Sequence, residues 1–307
     1  LGFELPDQPP RLLPHAVEEG ALMAIVSRSG NAGEIRLVEL SYGIVDRADR
    51  AVDLVSNCSL TAKRNCFTAL VGPSGCGKTT LMNLIAGYIA PTAGKVFLDN
   101  DEVVGPSSER LMVFQETALF PWMTTLDNVV YGPMVRGTRA HAKIVSDAAA
   151  ILERFGLGEF KNRYPHELSG GMQRRGELAR ALINDPKVLL MDEPFRGLDA
   201  MTRQLMQEYL VKLFEDTRTT TVFVTSEIDE AIFLADRLIV LSNAPARAAA
   251  VVEVGLPRPR TFEMLSSPAY ASLKQSALEL LYAEAAAAFS GGASLDLKEA
   301  FERRHAD

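Results

Sequence analysis

The residues Gly72-Pro73-Ser74-Gly75-Cys76-Gly77-Lys78-Thr79, followed by Thr80, lie between an apolar run at 66–71 and a segment that starts a helix near Lys78. Glycines at 72, 75 and 77 allow successive backbone N–H groups to converge on one point, and the start of a helix adds the positive end of its dipole there. Phosphate oxygens suit such a cradle. Lys78 can reach the β- and γ-phosphates of a nucleotide, and the Thr79 hydroxyl can ligate Mg²⁺. The pattern G-x-x-x-x-G-K-[ST] is complete, so ATP with Mg²⁺ is the expected ligand; a decayed loop that only turns a corner is the alternative. A strand, this turn and a helix in succession restrict the chain to an α/β fold.

The rest of the chain agrees. Apolar and β-branched runs at 35–45, 52–60, 96–98 and 111–114 predict strands, and the pattern resumes at 188–191, 220–224, 238–241 and 250–254, with helical stretches at 201–215 and 227–235 between them. Strands alternating with helices imply a mainly parallel sheet. Between about 115 and 185 the spacing turns helical, at 142–155 and 169–183, which predicts a helical insert. Residues 1–33, with Pro6, Pro9, Pro10 and Pro14, predict a poorly ordered N-terminal extension without the marks of a secretion signal. Residues 34–260 form the domain, and 261–307 a helical C-terminal extension.

Composition bounds the function. A net charge of −7 argues against a nucleic-acid binder working by general basicity. No stretch approaches the roughly 18 apolar residues of a spanning helix, because Asn83 interrupts 81–90 and Glu279 and Glu284 interrupt 277–289. A role at a membrane would therefore be exercised from outside the bilayer, and the missing marks of a secretion signal make its cytoplasmic face the expected side. Cys58, Cys66 and Cys76, an odd number without CxxC spacing, indicate neither a disulfide framework nor a zinc site.

Two more motifs carry chemistry. The apolar run at 188–191 ends in Asp192-Glu193. Asp192 suits the Mg²⁺ shell through water, and Glu193, one residue further out, suits deprotonation of an attacking water. Leu168-Ser169-Gly170-Gly171-Met172-Gln173 opens a helix with a serine and two glycines, which is a second anion-binding nest or an ordinary N-cap. A domain with one nucleotide has no evident use for two nests, so this one is expected to face the γ-phosphate bound by another subunit.

The phosphate loop, Gln115, the Leu168–Gln173 stretch, Asp192-Glu193 and Gly197-Leu198-Asp199, in this order and spacing, resemble the nucleotide-binding subunit of an ABC transporter. Gln115-Glu116-Thr117-Ala118-Leu119-Phe120-Pro121-Trp122 and Leu256-Pro257-Arg258-Pro259-Arg260 resemble the nitrate/sulfonate/taurine importer branch. The resemblance implies a P-loop NTPase (RecA-like) parallel sheet with an antiparallel β edge and a helical subdomain. It implies an ATPase that powers an importer for a small anion, with a second ATPase subunit, transmembrane permease subunits and, indirectly, an external solute-binding protein as partners. Residue by residue, it implies adenine stacking on Tyr42, water and Mg²⁺ contact at Gln115, communication across a dimer interface at Asp199, and γ-phosphate contact from Ser169, Gly170, Gly171 and Gln173. Phe120, Pro121 and Trp122 would receive a short helix of the permease; for these three and for Tyr42, core packing is the alternative.

One departure matters. Ser226 stands where the family places a histidine that reaches the γ-phosphate, and Arg196 and Gly197 fall where the family commonly has Gly-Ala. Serine is shorter and carries no positive charge, so a slow hydrolyser, or a hydrolysis-impaired partner in a heterodimer, is an open reading. A soluble non-transport ABC ATPase and a P-loop kinase are the competing classes; the second leaves Leu168–Gln173 unexplained.

Overall fold

Residues 31–45, 49–137 and 139–290 are described by the computed structural model. Strand β1 (Ile35–Val45) runs antiparallel to β2 (Ala51–Ala62) on one side and to β4 (Ala93–Leu98) on the other. The short β5 (Asp101–Glu102) completes a four-stranded sheet in the order β2-β1-β4-β5. Strands β3 (Phe67–Val71), β6 (Arg110–Val113), β7 (Val188–Asp192), β8 (Thr220–Val224), β9 (Arg237–Leu241) and β10 (Ala248–Glu253) form the second sheet, ordered β10-β9-β3-β8-β7-β6. Its pairs are parallel except β10 with β9.

The expected α/β architecture holds, with one refinement. The N-terminal strands are not an edge of the parallel sheet but a sheet of their own, because both hydrogen-bonding edges of β1 are taken by β2 and β4. The antiparallel edge of the larger sheet is β10 instead. The two sheets meet at a bridge between Val55 and Ala246, beside a hydrogen bond from Ser56 N–H to Ala246 O of 3.1 Å.

Period-two alternation sends each central strand into two cores. Phe67, Ala69, Val71, Leu189, Met191, Phe223, Leu238 and Val240 face one cluster, whereas Leu70, Val188, Leu190, Val222, Val224, Ile239 and Leu241 face the other. The second cluster fills the space between the two sheets around helix α1 (Lys78–Ala86). The first packs the outer face against the remaining helices: α2 (Thr125–Arg136), α3 (His141–Arg154) and α4 (Gly170–Leu182) of the insert, then α5 (Ala200–Thr217) and α6 (Ile228–Leu234).

Helix α7 (Pro268–Ser290), in the expected C-terminal extension, docks on α6. Tyr270 and Ala277 are buried in the outer core, the Tyr270 hydroxyl donates to Asp229 Oδ1 at 2.6 Å, and Lys274 pairs with the same carboxylate at 2.8 Å. Expectations for residues 1–30 and 291–307 lie outside the described residues. Among the described residues no helix is long and apolar enough to cross a membrane.

Candidate active site

The parallel register places the site. Leu70 pairs with Val224, and Val224 with Asp192, while Val113 pairs with Met191, so β3, β8, β7 and β6 all end at one edge of the sheet. Past that edge come the phosphate loop, Ser226, Asp192-Glu193 and Gln115 respectively. The carboxyl edge of a parallel sheet is where ligands bind in folds of this kind.

In the loop, Gly77 adopts φ 104° and a Cβ there would stand 2.8 Å from the Leu54 carbonyl oxygen, so only glycine fits. Gly75, at φ 77°, would meet nothing within 4 Å and stays open on its outer side, next to exposed Ser74. A Cβ on Gly72 would come within 2.9 Å of the Cys76 sulfur, which is fully buried, and burial pushes that thiol upward. The Lys78 ammonium donates to the carbonyls of Gly72 and Pro73, both at 2.9 Å, and so closes the loop on itself. Thr80, the third residue of α1, is half-buried.

Thr79 and Asp192 are brought together. Burial raises the Asp192 carboxyl above its usual range, while a hydrogen bond with the Thr79 hydroxyl and the nearby Lys78 charge act in the opposite direction. Glu193 follows in a left-handed conformation, φ 41°, its N–H donating to Val224 O at 2.9 Å. Its carboxylate accepts from Arg196 at 3.0 Å. Ser226 is exposed at the start of a turn fixed by Thr225, whose hydroxyl accepts from Glu227 N–H at 3.0 Å and donates to buried Glu230.

Gln115 is exposed, and its loop is gripped from α4. Arg174 donates to the carbonyls of Phe114 and Gln115, each at 2.7 Å, and forms a buried ion pair with Glu177 at 2.6 Å. Glu177 in turn accepts from Ala118 N–H. Ser169 caps α4 by accepting from Met172 N–H at 3.3 Å. Gly171 is pressed against α5, where a Cβ would meet the Thr202 methyl at 2.9 Å, and Gly170 lies near Leu198. The Gln173 side chain is engaged within the chain: it donates to Pro165 O and Leu168 O and accepts from Thr117. Asp199 caps α5 through Thr202 N–H at 3.0 Å, and its bonds with Thr202 hold its carboxyl below the usual range.

Tyr42, on β1, is half-buried against the inner core and pairs with Val55, the neighbour of the Leu54 that abuts Gly77. Phe120 and Trp122 stack at 5.5 Å, Tyr131 meets Phe120 edge-on at 5.1 Å, and the Arg180 guanidinium lies over Phe120. Trp122 is 70% exposed and Pro121 is exposed. Core packing thus describes Phe120 in part and Trp122 not at all.

The family described as ABC transporter matches residues 55–196. The taurine import ATP-binding protein TauB of Ruegeria pomeroyi is 47% identical over 197 residues, which cover 64% of this chain and 73% of that protein. This chain belongs to the ABC transporter ATP-binding family. The nitrate import ATP-binding protein NrtD of Synechococcus elongatus is 40% identical over 233 residues, covering 74% and 84% of the two chains. Among solved structures, the ATP-binding cassette MJ0796, a dimer in a post-hydrolysis state bound to ADP and Pi, matches with a TM-score of 0.64 at 28% identity, over 73% of this chain and all of that one. As a member of the family this chain binds and hydrolyses ATP.

Two groups at this ABC site escape the sequence. The Arg174–Glu177 pair belongs to no motif that the sequence singles out, yet it is buried and holds the Gln115 loop to the insert. Arg196 reads as a minor departure from the family pattern, yet it is the partner of Glu193.

Proposed function

We propose that this chain is the ATP-hydrolysing subunit of an importer for a small anion such as nitrate, a sulfonate or taurine, working at the cytoplasmic face of the membrane beside separate permease subunits. Its likeness to proteins named for taurine and nitrate import supports that substrate class. The observation that carries the mechanism is the convergence of Lys78, Thr79, Gln115, Asp192 and Glu193 at one sheet edge. Two subunits face head to tail, each ATP lying between these residues of one and Ser169, Gly170 and Gly171 of the other, with Asp199 at the shared face and Tyr42 on the adenine.

The donor set suits Mg²⁺, which takes oxygen ligands and keeps several waters: a Thr79 hydroxyl against a buried Asp192 carboxylate, with Gln115 on the loop that follows the neighbouring strand end. Among the described residues no three His, Cys, Asp or Glu side chains converge to hold a metal, so phosphates and water would complete its shell. When bound, the ion neutralises phosphate charge. Lys78 holds the β/γ-phosphates, Gln115 orients the water, and Glu193 accepts its proton. Binding closes the pair and hydrolysis reopens it, because the γ-phosphate bridges the halves. The solute, delivered by an external binding protein, never touches this chain.

Co-purification in detergent with hydrophobic subunits, and ATP-dependent uptake by the reconstituted complex, tests the proposal; a subunit that never assembles with them would favour the soluble class. The permease contact is assigned to Phe120, Pro121 and Trp122. Trp122→Ala should weaken assembly by about 2 kcal/mol, roughly 30-fold, with nucleotide affinity unchanged in a filter-binding titration. Full assembly and transport in that variant would remove Trp122 from the contact.

Ser226 favours a second reading, a slow site completed by a more competent partner subunit. Removing one donor to developing charge typically costs ~10²–10³ in rate. Ser226→His in the purified complex should therefore raise turnover by about tenfold or more, read together with subunit stoichiometry. A fast homodimer that gains nothing from histidine would end this reading.

A further inference from the structure

The backbone at Glu193 is left-handed and its side chain is only 11% exposed, but one of its oxygens is reached from outside. Arg196 Nη1 donates to Glu193 Oε2 at 3.0 Å, while the Arg196 side chain as a whole is 65% exposed. The link between the two residues is a fixed turn. Arg196 N–H donates to Glu193 O at 3.1 Å and Leu198 N–H to Phe195 O at 3.3 Å. Between them Pro194 and Phe195 are buried, with the Phe195 ring 5.9 Å from that of Phe223 on β8. The arginine is thus carried on a pedestal anchored in the core.

Other cations near the site are committed elsewhere: Lys78 to Gly72 and Pro73, Arg174 to Phe114, Gln115 and Glu177, and Arg203 to the Leu198 carbonyl. Ser226 brings no charge. A half-exposed ion pair adds little to stability, so the pair is better explained by what it does to the direction of the carboxylate.

We infer that Arg196 is a positioning residue for ATP hydrolysis: it pins Glu193 through Oε2 and leaves Oε1 free to accept a proton from the attacking water. The inference rests on the proton-accepting role proposed for Glu193. A glutamate has three side-chain torsions, and an acceptor displaced by about 1 Å can lose up to ~10²-fold in rate. Fixing one oxygen by a guanidinium on a rigid turn removes that freedom before the water arrives.

The test compares Arg196→Ala, Arg196→Lys, Glu193→Gln and the Arg196→Ala/Glu193→Gln double variant in the assembled complex, measuring kcat, KM, ATP affinity and melting temperature. Arg196→Ala should lower kcat about tenfold, with KM, ATP affinity and melting temperature unchanged. Arg196→Lys should recover part of that loss, because an ammonium can still donate to Oε2. The double variant should be no slower than Glu193→Gln alone, since positioning an absent base costs nothing further. An unchanged or faster Arg196→Ala, beside an inactive Glu193→Gln, overturns the inference and leaves the role of Glu193 standing. A Glu193→Gln complex that turns over at the parent rate overturns that role and the inference with it.

Discussion

The Glu193→Gln protein should bind ATP, close into a dimer and stay closed, with turnover lowered by about 10²–10⁴-fold, the range a positioned general base supplies. The substitution keeps the shape of the side chain and still offers an oxygen to Arg196, but an amide does not take the proton of water. Lys78, Thr79 and Asp192 are untouched, so the groups proposed to hold phosphate in the ground state remain. Size-exclusion chromatography with ATP should show an accumulated dimer, and single-turnover measurements should locate the defect in cleavage. Dissociation into monomers at the parent rate would move the base to another residue.

Lys78→Ala has the opposite signature. It removes a nearly buried ammonium that holds the Gly72 and Pro73 carbonyls and that is proposed to address the β/γ-phosphates when nucleotide is bound. A hydrogen bond to a charged group contributes about 1.5–3 kcal/mol, so ATP affinity should fall by about 10- to 150-fold and ATP-dependent uptake should disappear. The loop glycines and the start of α1 remain, so the fold should survive. Equilibrium titration with a fluorescent ATP analogue decides the matter: a dissociation constant within about twofold of the parent would mean that Lys78 serves the loop and not the phosphates.

The contrast between these two residues also shows what a sequence can and cannot reveal. The phosphate loop is legible because its strand, turn and helix are contiguous, and β7 is legible because Val188–Asp192 is an unbroken buried run. Pairing across long separations is not: the Ile35–Leu98 register that builds a separate antiparallel sheet has no local signal. Helix α2 is absent from the helices predicted at 142–155 and 169–183: Pro133 lies inside it, a residue that ordinarily breaks a helix, although Thr124 and Asp127 form a capping box at its start. The same limit hides the docking of α7, since the Tyr270–Asp229 bond joins residues that are local to different helices. At the candidate site, types and spacing single out Lys78, Thr79, Asp192 and Glu193, which the fold brings to one sheet edge. The direction of each side chain, and hence the part played by Arg174, Glu177 and Arg196, depends on burial that only the folded chain supplies.

Buried Asn128 gives the aromatic surface of the insert a property that its exposure alone does not. Its amide donates to the carbonyls of Phe120, Met123 and Thr124, and its oxygen accepts from Phe120 N–H at 2.8 Å and from Arg180. Trp122 therefore projects from a segment whose backbone is already ordered in the uncomplexed chain. A partner that settles on it meets a segment with little backbone entropy left to lose, where fixing one residue's backbone otherwise costs about 1–2 kcal/mol. A single internal amide thus makes a loop behave, towards whatever binds it, as a rigid template.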